Sequence, residues 1–528
     1  MLTRYENAQV FTADGRLAES FVVKDGRFAF VGRLEDARNA FPQAKAVDLS
    51  GSFVCPGFND SHLHLLELGC VLGQAQLASD SLAGMLDALA RYAAGHPREP
   101  FVLGRGFNDD HFLDERRYPT REELDAVCPD RPCLITRVCG HVAVANSRAL
   151  ELAGLAHAAV PVEGGHVDVD ALGRPTGLLR ENAINLVSSL IPALDRQGIR
   201  ERLLLALDAV RRRGITSVQT DDFAGLAFED VIAVYRALAD EGRLTARVTE
   251  QSLLPTQEEL TAFLQAGYMT GWGDERFRIG PLKLIGDGSL GSRTAFLRAP
   301  YTDDPQTCGI ADYTQEALDA LVLQAHRAGM QVAVHAIGDG ACDRVLHAVE
   351  HAQAVCPRRD ARHGIVHAQI TDRQQVARMA QLGMHAYIQP IFLDYDAQIV
   401  RSRVGSRAEE AYPAASLLLS GATLSSGSDS PVEPPDVLSG IQCAVTRRGY
   451  LHPGDAPYLP HEALSVSDAL RSFTSFGAYA SFEERIKGRI APGFLADFTV
   501  LGQSPFETAP EALHAIPVTA VFLGGERL

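Results

Sequence analysis

Pro56-Gly57-Phe58-Asn59-Asp60-Ser61-His62-Leu63-His64 is the stretch on which the reading of this chain turns. It follows the apolar pair Phe53-Val54, so it stands at the end of a short predicted strand. Side chains at i and i+2 of an extended strand point to the same side. Two imidazoles placed that way can reach one cation, and neutral imidazole is a common zinc ligand. A histidine pair alone is thin support for a metal. The rest of the chain supplies more.

Beyond residue 200 one unit recurs: an amphipathic helix, a glycine, a short apolar strand, then polar residues. Glu201–Arg213 leads through Gly214 to Ile215-Thr-Ser-Val, and Phe228–Glu241 through Gly242 to Leu244–Val248. Gln315–Ala328 leads through Gly329 to Met330-Gln-Val-Ala-Val, and Asp372–Leu382 through Gly383 to Met384-His-Ala-Tyr-Ile. Ala414–Ser420 leads through Gly421 to Ala422-Thr-Leu-Ser-Ser. A glycine just past a helix accepts the left-handed conformation that ends it. Strands alternating with helices make βαβ units and a parallel sheet. So many in one region predict an α/β fold closed into a (β/α)₈ barrel of the TIM type. No Gly-x-Gly-x-x-Gly follows a first strand, which weighs against a dinucleotide fold.

Such barrels gather their chemistry at the C-terminal ends of the strands. Val332-Ala-Val-His335 ends one predicted strand and Gly364-Ile-Val-His367 another. Ser425-Ser-Gly-Ser-Asp429-Ser-Pro431 ends a third. Four histidines and an aspartate at separate strand ends predict a shared divalent cation of the zinc type.

The chain has four lysines (Lys24, Lys45, Lys283, Lys487) against 45 arginines. Lys283 sits within the apolar Phe277-Arg-Ile-Gly-Pro-Leu-Lys283-Leu-Ile-Gly-Asp-Gly, where a buried ammonium needs compensation. Two readings stand. Lys283 is paired with Asp287, or CO₂ has added to its amine to give a carboxylate that bridges two metals. Two metals about 3.5–4 Å apart can share a hydroxide.

Residues 1–55 contain short apolar runs broken by Asp14-Gly15 and Asp25-Gly26, which are hairpin signals. The C-terminal stretch, with Asp497-Phe-Thr-Val-Leu and Val518-Thr-Ala-Val-Phe-Leu, reads the same way. Neither piece can form a good core alone. The expected organisation is a small antiparallel β domain from residues 1–55 plus 485–528, with the barrel spanning 56–484. Residues of about 70–200 break the helix–strand rhythm with Gly, Pro, Asp and Arg. They are expected to be a long insertion after the first barrel strand, on the active face.

The bulk numbers narrow the function classes. With 528 residues and 46% apolar content the chain can bury a large core. A net charge of −17 without a Lys/Arg-rich run argues against nucleic-acid binding. The nine cysteines are odd in number and include no Cys-x-x-Cys, which suits reduced thiols in a cytoplasm. The N-terminus shows no signal-peptide core, and no apolar run approaches the ~20 residues of a membrane span.

Together these pieces resemble the amidohydrolase superfamily, specifically its YtcJ-like or N-substituted formamide deformylase-like group, the amidohydrolase 3 family. The resemblance is carried by the segment 56–64, Gly140-His-Val-Ala-Val-Ala-Asn-Ser-Arg-Ala-Leu, Arg213-Gly-Ile-Thr-Ser-Val-Gln, and Lys283-Leu-Ile-Gly-Asp-Gly-Ser-Leu-Gly-Ser-Arg-Thr-Ala. It continues in His335-Ala-Ile-Gly-Asp, His367-Ala-Gln, Gly427-Ser-Asp-Ser-Pro-Val and Gly488-Arg-Ile-Ala-Pro-Gly-Phe-Leu-Ala-Asp-Phe. It implies a composite β-sandwich from the two termini, a small-molecule substrate and a homodimer. It places His62, His64 and Asp429 on one metal, His335 and His367 on a second, and carboxylated Lys283 between them. Val366 stands where relatives often have Glu, and Gly104-Arg-Gly-Phe-Asn where they often have Gly-x-Gly-Trp-Asp. These departures bear on the substrate more than on the metal.

The mechanism expected from this set is attack of a metal-bound hydroxide on an amide, N-substituted formamide or related cyclic amide. Asp429 takes the proton and passes it to the leaving nitrogen. His141 and Arg293 are the candidate substrate contacts that help stabilise the oxyanion. One rival is a mononuclear deaminase of a ring amine. It ranks lower because His335 is followed by Ala-Ile-Gly-Asp339 with no nearby Glu. The other rival is a catalytically silent binding or regulatory protein on the same scaffold, against which stands the full set of ligand types.

Overall fold

A computed structural model describes residues 2–528. The chain divides into two compact units, one built from residues up to Leu65 together with Ala206–Leu528, the other from Leu66–Leu205.

The first unit holds eight parallel strands in chain order around a sheet. They are β1 (Phe58–Leu63), β2 (Ile215–Thr220), β3 (Arg247–Leu253), β4 (Phe277–Ile285), β5 (Val332–Ala336), β6 (Gly364–His367), β7 (His385–Ile388) and β8 (Thr423–Ser426). The ring closes just past β8, where Asp429 N–H donates to His62 O and His64 N–H to Ser430 O, each at 2.8 Å. Gly427 makes that approach: a Cβ there would lie 2.6 Å from the His62 nitrogen. The glycines predicted to end helices, Gly214, Gly242, Gly329, Gly383 and Gly421, all lie at positive φ. The fold is therefore the (β/α)₈ barrel expected.

Two details differ from the sequence reading. Phe53–Pro56 is not the start of the barrel strand; it pairs antiparallel with Phe498–Leu501 in a terminal sheet, and β1 begins only at Phe58. The third barrel strand begins at Arg247 rather than Leu244. Both shifts arise because apolar residues before a strand also pack inward, and periodicity alone does not mark where pairing begins.

The two termini form two facing sheets, one of four strands and one of six. They are mixed rather than purely antiparallel, since Leu2–Glu6 runs parallel to Lys45–Asp48 and Gln9–Phe11 parallel to Phe53–Pro56. Hairpin signals report only the antiparallel neighbours, here Ser20–Lys24 with Arg27–Gly32 across Asp25-Gly26. The core between the sheets is aromatic. Phe498 and Phe522 stack with centroids 4.2 Å apart, and Tyr5 lies 4.8 Å from Phe21. Such pairs add about 0.5–1.5 kcal/mol each beyond their burial. The sandwich is tied to the barrel through a buried pair: Arg247 in β3 donates to Asp497 at 2.6 and 2.9 Å.

The second unit has its own six-stranded sheet, ordered Gly165–Val169, Pro175–Glu181, Val142–Ala145, Cys133–Arg137, Val102–Phe107, Ala75–Gln76. Leu82, Met85 and Leu89 of the helix Leu82–Gly95 pack into its core with Val102 and Ile135. The helix Arg121–Val127 is started by a capping box of Thr120 and Glu123. No helix among the described residues is long and apolar enough to cross a membrane.

Candidate metal centre

The barrel brings the strand-end residues together. His62 is the penultimate residue of β1, with His64 just beyond the strand; Lys283 lies near the end of β4, His335 in β5, His367 at the end of β6, and Asp429 follows β8. His367 and Asp429 hold φ of 79° and 59°, a left-handed backbone uncommon for residues with a side chain. Such positions cost about 1–3 kcal/mol each and concentrate at functional sites.

The hydrogen bonds fix which ring nitrogen of each histidine is free. His62 Nδ1 donates to Gln251 Oε1 at 2.8 Å, and the amide of Gln251 is oriented by its own bond to Ser61 O. His367 Nδ1 donates to Gln389 Oε1 at 2.8 Å, with that amide oriented by Tyr387 O. His335 Nε2 donates to Gly288 O at 3.2 Å, and His64 Nδ1 stands in an ion pair with Asp221 Oδ1. The other ring nitrogens, His62 Nε2, His64 Nε2, His367 Nε2 and His335 Nδ1, turn towards one another and Asp429. The first two each lie 3.1 Å from Asp429 Oδ1. The last two face each other at 3.0 Å. Orientation of a ligand histidine by a partner on its other nitrogen is the usual outer layer of a metal site.

The electrostatics agree with that arrangement. Burial, with Lys283 nearby, lowers the pKa of His62 and takes that of His335 down to about 4. Burial, then His335, holds His367 well below its ordinary value. These rings are neutral at pH 7, as ligands must be. Burial also disfavours a charged His64, but Asp221 and Asp429 outweigh it and push its pKa up to about 10. Burial opposes ionisation of Asp429, yet His62 and His64 hold it well below the carboxylate range.

The donor set fits a divalent cation. Ligand atoms of His62, His367 and Asp429 lie within 4.8 Å of one another, as do those of His62, His64 and Asp221. Imidazole nitrogens and carboxylate oxygens are the ligands zinc takes.

Of the two readings of Lys283, pairing with Asp287 is not what the structure shows; its partner is Asp221. Its Nζ donates to Asp221 Oδ2 at 2.9 Å and lies 3.3 Å from His62 Nε2. Asp287 lies past the strand end and accepts the N–H groups of Phe296, Ile337 and Gly338 at 2.8–3.0 Å. It clamps the loop after β4 to the end of β5.

His141 is exposed in the second unit, with Nδ1 2.8 Å from Glu181. Arg293 lies on the loop after β4 and is held in a two-pronged bond by Asp303, both contacts at 3.1 Å. The residues the sequence reading missed are Asp221, Gln251 and Gln389. Asp221 was within reach, because it follows β2 as His335 and His367 close β5 and β6.

A closed parallel barrel carrying histidines and an aspartate at its strand ends defines a metal-dependent hydrolase in class. The chain belongs to the amidohydrolase family, whose model matches residues 45–528. It is 33% identical over 519 residues to YtcJ of Bacillus subtilis (strain 168), covering 97% of this chain and 96% of that protein. It is 27% identical over 551 residues to the N-substituted formamide deformylase of Arthrobacter pascens, covering 98% and 96%. Among solved structures it resembles a metal-dependent hydrolase of Pyrococcus furiosus, with a TM-score of 0.80 and 29% identity. That match covers 96% of this chain and 100% of the other. The family and the histidine–aspartate clusters support a divalent metal, and the reaction class is hydrolysis of non-peptide carbon–nitrogen bonds.

Proposed function

We propose that the protein hydrolyses an N-substituted formamide, another amide or a related cyclic amide at a zinc centre. The observation that carries this reading is the convergence of His62 Nε2 and His64 Nε2 on Asp429 Oδ1, with the facing pair His335 Nδ1 and His367 Nε2 close by. His62, His64 and Asp429 would hold one ion, and His335 and His367 a second. When bound, the metal makes water a nucleophile at neutral pH and polarises the substrate carbonyl.

The chain's own groups do the rest. Asp429, kept ionised by His62 and His64, accepts a proton at Oδ1 and delivers it to the leaving nitrogen. Lys283 is assigned as the carboxylated bridge. Its Nζ stands beside His62 Nε2, and a carbamate there retains an N–H for Asp221. His141 and Arg293 are assigned substrate contacts; each must release its present carboxylate, Glu181 or Asp303, to make them. In this reading residues 1–55 with 485–528 form the sandwich domain and 56–484 the catalytic barrel, interrupted at about 70–200. The free thiols support a cytoplasmic location.

The test is zinc reconstitution followed by a screen of N-substituted formamides, cyclic amides and ring amines, reading amine, acid and ammonia. Amine and formate release from a formamide is expected. Ammonia release alone, or saturated metal with no turnover on any class, contradicts the proposal.

A further inference from the structure

Cys128 and Cys133 belong to the core of the second unit and are 1% and 0% exposed. The first caps the C-terminal end of the helix Arg121–Val127, and the second opens the strand Cys133–Arg137. Between them runs only Pro129-Asp130-Arg131-Pro132, whose two prolines fix φ and stiffen the loop. The buried side chain of Asn146 pins both cysteine backbones. Its Nδ2 donates to Cys128 O at 2.9 Å and to Arg131 O at 2.8 Å, and its Oδ1 accepts the Cys133 N–H at 2.9 Å. Arg131 ties the loop to the end of the helix Leu82–Gly95, donating to Ala93 O at 2.7 Å and to His96 O at 2.6 Å. One amide and one guanidinium therefore hold the two cysteines beside each other, as a disulfide requires.

Both thiols are free, and their side chains lie within hydrogen-bonding reach of each other. The contact with Cys133, helped by Arg131, lowers the pKa of Cys128 against the opposing effect of burial. The same contact, with burial, raises Cys133 well above the ordinary thiol range. The thiolate is the attacking species in disulfide exchange, so Cys128 is the thiol that reacts first. Pro129 and Asp130 are exposed directly after Cys128, so a local opening of the loop brings solvent to its sulfur without unfolding the unit. The hydrolytic reaction proposed above uses neither thiol.

We propose that Cys128 and Cys133 are a modification site, a dithiol that small disulfides oxidise to an internal disulfide joining the helix end to the strand. Cys128 gives up its proton and attacks one sulfur of a low-molecular-weight disulfide such as oxidised glutathione. That S–S bond breaks, and one glutathione leaves with the proton. Cys133 then gives up its own proton and attacks the Cys128 sulfur; the mixed disulfide breaks, and the second glutathione leaves. Two cysteine thiols are oxidised, and one small disulfide is reduced to two thiols. Because the partners stand together beforehand, the second step is intramolecular and outruns reversal by free glutathione.

The full chain would be held in an equimolar buffer of glutathione and its disulfide, quenched with acid, unfolded, alkylated with N-ethylmaleimide and digested with trypsin. Trypsin spares a bond that precedes proline, so Arg131–Pro132 survives and both cysteines stay in one peptide, Glu122–Arg137. That peptide should lack both alkyl groups and be two hydrogens lighter, with the internal disulfide exceeding the glutathione adduct by roughly tenfold or more. Dithiothreitol should restore both alkylation sites. In Cys133→Ser the second step is removed, and the glutathione adduct on Cys128 should accumulate instead. Full alkylation of Glu122–Arg137 in the wild-type chain overturns the proposal, as does a glutathione adduct in place of the internal disulfide. Cys128 left unmodified in Cys133→Ser overturns its role as the attacking thiol.

Discussion

His335 Nδ1 and His367 Nε2 face each other at 3.0 Å, and each ring already gives its hydrogen to another acceptor, Gly288 O and Gln389 Oε1. Two lone pairs at that separation repel unless a cation lies between them. A cation bound between them would relieve that repulsion. Removing metal with a chelator should lower the melting temperature, and zinc should restore it. At zinc a hundredfold above its dissociation constant the gain is about 2.7 kcal/mol. A melting temperature indifferent to zinc would count against a site here.

Zinc must displace the proton that Asp221 and Asp429 hold on His64, whose pKa is pushed up to about 10. Below that value the protonated ring competes with metal, so affinity should fall by roughly tenfold per pH unit as the solution is acidified. The sign for the metal-free fold is opposite. A raised histidine pKa stabilises the folded state below the ordinary 6.5, and that contribution is lost as pH rises towards about 10. Zinc titrations from pH 6 to 9 check the first effect, and metal-free melting over the same range checks the second.

Asp221 fixes the His64 tautomer and receives the Lys283 amine, so it acts on the metal through other residues. Asp221→Asn should weaken zinc by roughly 10–100-fold, the usual effect of losing an outer-layer carboxylate. It should also flatten the pH dependence of binding, because the His64 proton loses one of its two anions. A purely structural role would lower the melting temperature and leave that slope alone.

Asp429→Asn keeps an oxygen for the metal and removes the base. Turnover should drop by about 10²–10⁴ with zinc content retained. Activity close to wild type would remove Asp429 from the proton path.

The pair Arg247–Asp497 lies far from this chemistry and joins β3 to the terminal sandwich. Asp497→Ala leaves a buried guanidinium without its anion and should cost about 3–5 kcal/mol in urea unfolding. KM should not change.

Much of this was legible in residue order. The histidines at 62, 64, 335 and 367 and Asp429 stand at strand ends because helix, glycine and strand recur with regular spacing, and that spacing reports the barrel. What holds the rings in place was not legible. Gln251 serves His62 from β3, and Gln389 serves His367 from the end of β7; such partners emerge only once the strands are in register. Of the two readings of Lys283, the pairing with Asp287 fails for the same reason, since its partner Asp221 is 62 positions away in sequence but near in the barrel. The insertion was illegible as a fold. Its central pairing joins Val142 to Arg180 across many turns, and no local period encodes that.

The account rests on one convergent cation site, and diffraction from zinc-soaked crystals at the zinc absorption edge tests it most directly. The expected result is anomalous density bonded to His62 Nε2, His64 Nε2 and Asp429, with a second peak at His335 Nδ1 and His367 Nε2 when both positions fill. Fully occupied zinc elsewhere, with these five side chains unliganded, would contradict it.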